Sequence, residues 1–174
     1  LSKKVLIAII IILFTSACPS VIFSPSGKLY PLPQQLNIIK QDFFFYSKDA
    51  TKLHGWYLPS KVQRKHSILF LHGNGNNISD HIRVVYWLVD YGYDVYIFDY
   101  RGYGRSAVKA QLDGVLADID SAIDFTLDRA GSNSKIILMG QSLGASMGIY
   151  ALSKYSNKSR ITAFISISAF SDYR

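Results

Sequence analysis

Cysteine is almost absent from this 174-residue sequence, and Cys18 is the single example. One thiol excludes an intrachain disulfide framework and a metal cluster built from cysteines. The histidines do not predict a metal site either, because they lack metal-ligand spacing and no H-E-x-x-H motif occurs. They are His54, His66, His72 and His81. The sequence therefore implies neither a metal nor any other cofactor.

Charged residues are also few, at 18% of the chain, whereas 49% of the residues are apolar. This balance is typical of a globular protein rather than a disordered one. The net charge is +7, but the basic residues are scattered along the chain instead of clustering with aromatic residues. A nucleic-acid surface normally concentrates them. We therefore expect a moderately basic solvated surface and no nucleic-acid partner.

The first 18 residues have the pattern of a targeting segment. Lys3 and Lys4 precede an apolar run over residues 5–14, and small residues then lead to Cys18. A positive start, a run of about ten apolar residues and a small-residue end are typical of a secretory signal. Because Cys18 directly follows Ser16 and Ala17, the segment resembles a bacterial lipoprotein signal in which the cysteine is lipidated.

Two other interpretations of this segment stay open: an uncleaved membrane anchor that continues to Phe23, and an ordinary signal peptide with an incidental cysteine. If the segment is a lipoprotein signal or an uncleaved anchor, we expect the protein to be attached to the membrane of a bacterial cell envelope. Residues 19–41 follow, with prolines at 19, 25, 31 and 33, and are interpreted as a tether or irregular lead-in.

Residues 42–174 alternate between predicted strands and helices. Short apolar runs predict strands over 43–46, 52–58, 67–71, 94–98, 135–139 and 161–167. Helical spacing predicts helices from an N-cap at Ser79 to Gly92, from Asp113 to Leu127, and over 143–153. This alternation predicts an α/β fold with a mostly parallel central sheet and helices on both faces. The acidic series in the second helix is interpreted as a solvated face (Asp113, Asp118, Asp120, Asp124 and Asp128).

The most informative motif is G-x-S-x-G at residues 140–144, between an apolar strand and a small-residue helix. In a nucleophile elbow this sharp turn lifts a serine hydroxyl above the sheet at a helix N-terminus, where a developing oxyanion is favoured. The context makes Ser142 the candidate nucleophile, with Gly140 and Gly144 relieving steric clashes at the turn. The N–H of Leu143 is then one oxyanion donor.

A second motif, H-G-N-G-N-N at residues 72–77, directly follows a strand. A glycine-rich loop in this place turns backbone N–H groups toward an oxyanion and supplies the second donor. His72 has two interpretations, as a histidine that holds this loop through hydrogen bonds or, less favoured, as a catalytic base.

The segments LFLHGNGNN, FDYRGYGRS and ILMGQSLGA occur in this order, and together they resemble the α/β-hydrolase superfamily. By motif the sequence is most similar to small membrane-associated hydrolases related to serine peptidases and protein depalmitoylases, over about residues 42–172. The resemblance implies that Ser142 is the nucleophile and that the backbone N–H groups of Asn74 and Leu143 form the oxyanion hole. It also implies a structural role for the loop over 99–106, and hydrolysis of an ester, thioester or amide through an acyl-enzyme.

The sequence departs from this family after Ser142. The family order is serine, then acid, then histidine, yet the only later acid is Asp172 and no histidine follows. We therefore expect the chain to represent the first part of the fold, truncated after strand 161–167, as a partial record or a gene remnant. The alternative function is a non-catalytic, membrane-tethered interaction protein. Asp99 as the triad acid is the less favoured assignment.

A nucleotide-binding loop is a further rival, because Gly102, Gly104 and Ala107 match G-x-G-x-x-A after a strand, with Asp124 about 20 residues later. Residues 108–113 separate this loop from the next helix, and the serine motif stays unexplained. We therefore expect a small-molecule, acyl-ester or peptide substrate and no dinucleotide.

Overall fold

The computed structural model describes residues 22–171, in which six strands form one sheet. The predicted segment 1–18, with Cys18, and the late acid Asp172 lie outside the described residues. The strands are β1 (Gln41–Tyr46), β2 (Lys52–Leu58), β3 (His66–Leu71), β4 (Tyr93–Phe98), β5 (Ile136–Gln141) and β6 (Ile161–Ile167).

The strand order is β1-β2-β4-β3-β5-β6. β1 and β2 form an antiparallel hairpin, and β2 is also antiparallel to β4. The β4–β3, β3–β5 and β5–β6 pairs are all parallel. The carboxyl ends of β3, β4, β5 and β6 therefore meet at one edge of the sheet, which is where ligands bind in open α/β sheets.

Helices cover both faces of this sheet, so the predicted fold class is confirmed. Helices α2 (Leu112–Ala130) and α3 (Leu143–Lys154) pack on one face. The other face is covered by a single α-helical turn, α1 (Ile78–His81), followed by 3₁₀ turns over Ile82–Val84 and Tyr86–Tyr91.

The side chains of β3 show how the two layers form. Leu69 and Leu71 point to the core beneath α2 and α3, whereas Ile68 and Phe70 point to the core beneath the 3₁₀ turns. Because side chains alternate across a strand, a continuous apolar run is buried on both faces.

The predicted helix from Ser79 to Gly92 is wrong in two respects. Its N-cap is Asn77, whose side-chain oxygen accepts a hydrogen bond from the Ser79 N–H. Beyond His81 the chain forms 3₁₀ turns instead of an α-helix. β-Branched and aromatic side chains dominate this stretch, and their restricted side-chain rotation disfavours a regular α-helix. The predicted apolar residues are nevertheless buried (Ile82, Val85, Leu88 and Val89).

The interpretation of the α2 carboxylates as a solvated face is wrong for Asp118, which is fully buried. Its two oxygens accept hydrogen bonds from the Arg101 side chain at 2.7 to 3.2 Å, and one also accepts from the Arg101 N–H. Since Arg101 begins the turn after β4, this ion pair fixes that turn against α2. Asp113, Asp124 and Asp128 are exposed, as predicted.

The lead-in is irregular in the described part, apart from a 3₁₀ turn at Gln34–Leu36. Phe23 is nonetheless buried in the core beneath α2 and α3. Within residues 22–171, no helix combines the length and hydropathy needed to cross a membrane.

Asp118→Ala should lower the free energy of unfolding of the whole protein by about 3 kcal/mol, because it leaves the buried Arg101 charge without its main partner. Asp128→Ala, on the exposed side of the same helix, should change it by less than about 0.5 kcal/mol. Urea denaturation measures both values, and equal losses in the two variants would contradict the stabilising role of the pair.

Candidate active site

Ser142 lies at the turn between β5 and α3, at the carboxyl edge of the parallel strands. Its backbone has φ 50° and ψ −114°, a conformation that non-glycine residues rarely adopt. The Ser142 N–H donates a hydrogen bond of 2.8 Å to the carbonyl of Ile167, the last residue of β6. The surrounding sheet therefore holds the serine in a strained position at the start of α3.

Gly140 and Gly144 are required on either side of this serine for steric reasons. A Cβ atom on Gly140 would lie 2.7 Å from the Gly144 carbonyl oxygen, across the turn itself. A Cβ atom on Gly144 would lie 2.2 Å from the carbonyl oxygen of Leu71 and 2.5 Å from that of His72. The residues 140–144, which we call the elbow, thus pack against the end of β3.

The glycine loop, residues 72–77, begins where β3 ends. Leu71 is opposite Gly140 in the parallel register, so the loop and the elbow are neighbours. His81 joins them directly: its Nδ1 lies 3.2 Å from Oε1 of Gln141, and its Nε2 lies 3.1 Å from the Gly75 carbonyl oxygen. No sequence pattern indicated this bridging role.

The two residues predicted to donate to an oxyanion occupy these neighbouring turns. Leu143 is the first residue of α3, and the first N–H groups of a helix have no acceptor within it. Asn74 lies in the glycine loop, where its side-chain oxygen accepts hydrogen bonds from the Gly75 N–H and the Tyr103 hydroxyl at 2.9 and 2.7 Å. The Asn74 side chain thus holds the loop rather than facing solvent unpaired.

His72 is fully buried at the base of the loop. Its Nδ1 lies 2.7 Å from the Gly73 carbonyl oxygen, so Nδ1 carries the proton of the neutral ring. Burial, and to a smaller extent the adjacent His81, lower the pKa of His72 to about 3. Within the described residues, Nε2 of His72 has no hydrogen-bond partner. These contacts favour the loop-holding interpretation over that of a catalytic base.

Asp99 is also fully buried, and its carboxylate is engaged in holding the fold. One oxygen accepts from the Ile78 N–H at 2.9 Å, and the other lies 3.5 Å from Nδ1 of His54. The second nitrogen of His54 lies 2.7 Å from Asp42 in β1. Burial raises the pKa of Asp99 despite these contacts. The arrangement ties β4, β2 and the start of α1 together, away from the elbow.

The loop at Gly102 and Gly104, considered above as a nucleotide site, is occupied by protein. The Gly104 N–H donates to the Ser26 carbonyl at 2.9 Å, and a Cβ on Gly104 would lie 1.9 Å from an Asp99 oxygen. The Gly102 N–H donates to the Ala107 carbonyl. The backbone donors that a phosphate needs are therefore used within the fold.

Beside the first turns of α3 lies a cavity of about 330 Å³. Ser146, which lines it, follows Ser142 by one helical turn, a rise of about 6 Å. Asp113 and Ser171 are its other polar lining residues. The apolar residues of its wall come from α2, α3 and the segment after β6 (Leu112, Leu116, Met147, Tyr150 and Phe170). Among residues 22–171, no three or more His, Cys, Asp or Glu side chains are grouped to hold a metal ion.

A family model described as serine aminopeptidase, S33, matches residues 62–174 of this sequence. The match covers more than half of the chain, which therefore belongs to this family of α/β-hydrolases. The resemblance inferred from the three motifs is confirmed at this level.

The uncharacterized protein YfhR of Salmonella typhi is 32% identical to this chain, over 97% of the chain and 61% of that protein. The α/β-hydrolase domain-containing protein WAV2 of Arabidopsis thaliana is 31% identical, over 80% of the chain and 46% of that protein. Among solved structures, the esterase Pf2001 of Pyrococcus furiosus is similar with a TM-score of 0.70 at 24% identity, over 85% of this chain and 56% of that one. At that identity the likeness shows the fold alone.

His72 should make the protein less stable in acid. Between its ordinary pKa of 6.5 and its native pKa of about 3, the unfolded chain binds a proton that the native ring does not. The free energy of unfolding should therefore fall by about 1.4 kcal/mol for each pH unit below 6, from this residue.

Urea denaturation at pH 7, 6 and 5 measures this contribution as the difference between the wild type and His72→Gln. His66→Gln, at the exposed start of β3, is the matched control and should retain the wild-type pH dependence. Identical pH dependence in the wild type and His72→Gln would contradict a neutral buried ring.

Proposed function

We propose that the whole protein is a serine hydrolase that cleaves an ester, thioester or amide through an acyl-enzyme on Ser142. The observation that carries the proposal is the strained Ser142 at the N-terminus of α3, next to a glycine loop. In the reaction, Oγ of Ser142 attacks the substrate carbonyl carbon while a base removes its proton. The N–H groups of Asn74 and Leu143 stabilise the tetrahedral oxyanion. The leaving group departs with a proton, and water then hydrolyses the acyl-enzyme.

We infer that the base, and the acid that orients it, lie outside residues 22–171. Within residues 22–171, no histidine ring nitrogen is hydrogen bonded to the Ser142 hydroxyl, and His54 is held between Asp42 and Asp99. The chain spans 61% of the length of its Salmonella relative. We propose that the acid and the histidine lie in the part of the whole protein that this chain does not span, in the family order of acid before histidine.

Acyl esters are the favoured substrates. The cavity beside Ser146, Met147 and Tyr150 of α3 is mostly apolar in its lining and large enough for a short acyl chain. The chain also enters the fold at this edge, because the Ile22 carbonyl accepts a hydrogen bond from the Asn74 side chain at 2.7 Å. If residues 1–18 anchor the protein, the elbow lies close to the membrane, where acyl substrates are concentrated.

In the whole protein, Ser142→Ala should lower the turnover of p-nitrophenyl butyrate by at least about 1,000-fold, because it removes the nucleophile. Ser153→Ala, an exposed serine near the end of the same helix, should keep wild-type turnover. Fluorophosphonate should label the wild type and Ser153→Ala but not Ser142→Ala. Activity retained within about tenfold in Ser142→Ala would refute Ser142 as the nucleophile. A wild type that neither hydrolysed the ester nor accepted the label would make the non-catalytic interaction protein the better assignment.

We propose a lipoprotein of the bacterial cell envelope, because Cys18 follows a signal-like segment. Cells grown with labelled palmitate should incorporate the label into the wild type, which should fractionate with membranes. Cys18→Ala should lose the label. Equal labelling of both forms would exclude lipidation at Cys18, and membrane retention without any label would indicate an uncleaved anchor instead.

A further inference from the structure

Residues 22–30, which we call the strap, run along the glycine loop and the start of α1, and alternate residues of the strap are hydrogen bonded to them. The Ser26 N–H donates to the Asn76 carbonyl at 3.0 Å, and Pro25 and Asn76 form an isolated parallel bridge. The Tyr30 N–H donates to Oγ of Ser79 at 2.8 Å. A proline-rich lead-in without regular structure is thus ordered by its contacts with this loop.

Both polar atoms of the Asn74 side-chain amide are hydrogen bonded to the strap. Its Nδ2 donates to the Ile22 carbonyl at 2.7 Å, and its Oδ1 accepts from the Ser24 N–H at 2.9 Å. Oδ1 also accepts from the Tyr103 hydroxyl. Every polar atom of this side chain is therefore paired, and the residue cannot rotate without breaking bonds to the strap.

Asn77 makes the second attachment and is fully buried. Its Nδ2 donates to the carbonyls of Ser26 and Lys28 at 2.9 and 2.8 Å. Its Oδ1 accepts from the N–H and hydroxyl of Ser79 and so caps α1. A single amide thus joins the strap, the glycine loop and the first turn of the helix that follows.

The strap is itself anchored in the rest of the fold. Phe23 is buried in the core beneath α2 and α3, beside the turn that carries Gly102 and Ala110. The Ser26 carbonyl accepts a further hydrogen bond from the Gly104 N–H. Movement of the loop would therefore have to displace a core aromatic side chain as well as the hydrogen bonds.

We propose that the strap positions the glycine loop for catalysis, and that Asn74 and Asn77 are positioning residues that act through their side chains. This inference rests on the proposed function, because the loop is taken to supply the Asn74 N–H to the oxyanion. An oxyanion donor contributes only when it is preoriented toward the charge that develops in the transition state. A glycine-containing loop has many accessible conformations, and the strap selects one of them.

Two variants of the whole protein test the strap, and neither changes a charge. One alters the glycine loop and the other alters the strap itself. Asn77→Ser keeps a good N-cap for α1 but removes the amide that donates to Ser26 and Lys28. Phe23→Ala loosens the strap without changing the loop. The matched control is Asn157→Ser, the same substitution at an exposed asparagine before the 3₁₀ turn Lys158–Arg160.

In both strap variants kcat should fall by roughly 10-fold to 100-fold, since displacement of a catalytic group by about 1 Å costs on the order of 100-fold. KM for p-nitrophenyl butyrate should stay within about threefold, because the ground-state ester makes little use of the oxyanion donors. A boronic acid, which mimics the tetrahedral oxyanion, should lose affinity by the same factor as kcat/KM. The control should match the wild type in all three measurements.

Rates are expressed per active site titrated with fluorophosphonate, which separates positioning from folding. A strap with only a structural role would reduce the titrated fraction but leave kcat per titrated site and boronic-acid affinity unchanged. That result in both variants would overturn the inference, whereas a parallel loss of kcat and boronic-acid affinity in either variant supports it. Ser142→Ala in the same assay separates the two proposals: if it stays active, the proposed function fails and the strap inference fails with it.

Discussion

At Gly144 the backbone of α3 touches the backbone of the β3 terminus, with no room for a side chain between them. One turn later Gly148 repeats the contact against the Leu71 side chain. This close approach places the first turn of α3 beside the glycine loop, because that loop begins at His72. The neighbouring positions of Ser142, Leu143 and the loop all follow from it. A larger residue at position 144 would move α3 away from β3 and separate Ser142 and Leu143 from the glycine loop.

Buried polar groups then fix the loops around this contact. Asp99 binds the Ile78 N–H and approaches His54, while Asp118 holds Arg101 in the turn after β4. Each of these carboxylates is fully buried and has partners for its charge. An unpaired buried charge is costly, so alternative loop conformations that break these bonds are disfavoured. The turns that follow β3 and β4 are therefore held in one arrangement.

The sheet and the elbow were predictable because they depend on local patterns. Apolar runs marked each strand, and β6 was predicted with the boundaries that the structure has. The N-cap was misassigned because Asn77 and Ser79 are both good capping residues two positions apart, and only the tertiary contacts of Asn77 decide between them. Asp118 was misassigned because the spacing of acids along α2 does not reveal that Arg101 faces one of them. The role of residues 22–30 had no sequence signal, since their bonds go mainly through backbone atoms.

The hydrogen bond from the Ser142 N–H to the Ile167 carbonyl has a consequence for protein engineering. It makes the end of β6 part of the support for the serine, although β6 lies beyond the helix that carries it. A designer who grafts a new substrate-binding region onto this scaffold therefore has a defined junction. The graft should begin after residue 170, because an earlier junction alters this bond or the two hydrogen bonds, of 2.7 and 2.9 Å, between Phe170 and Ser146 of α3. Variation beyond that point leaves these supports of the elbow in place.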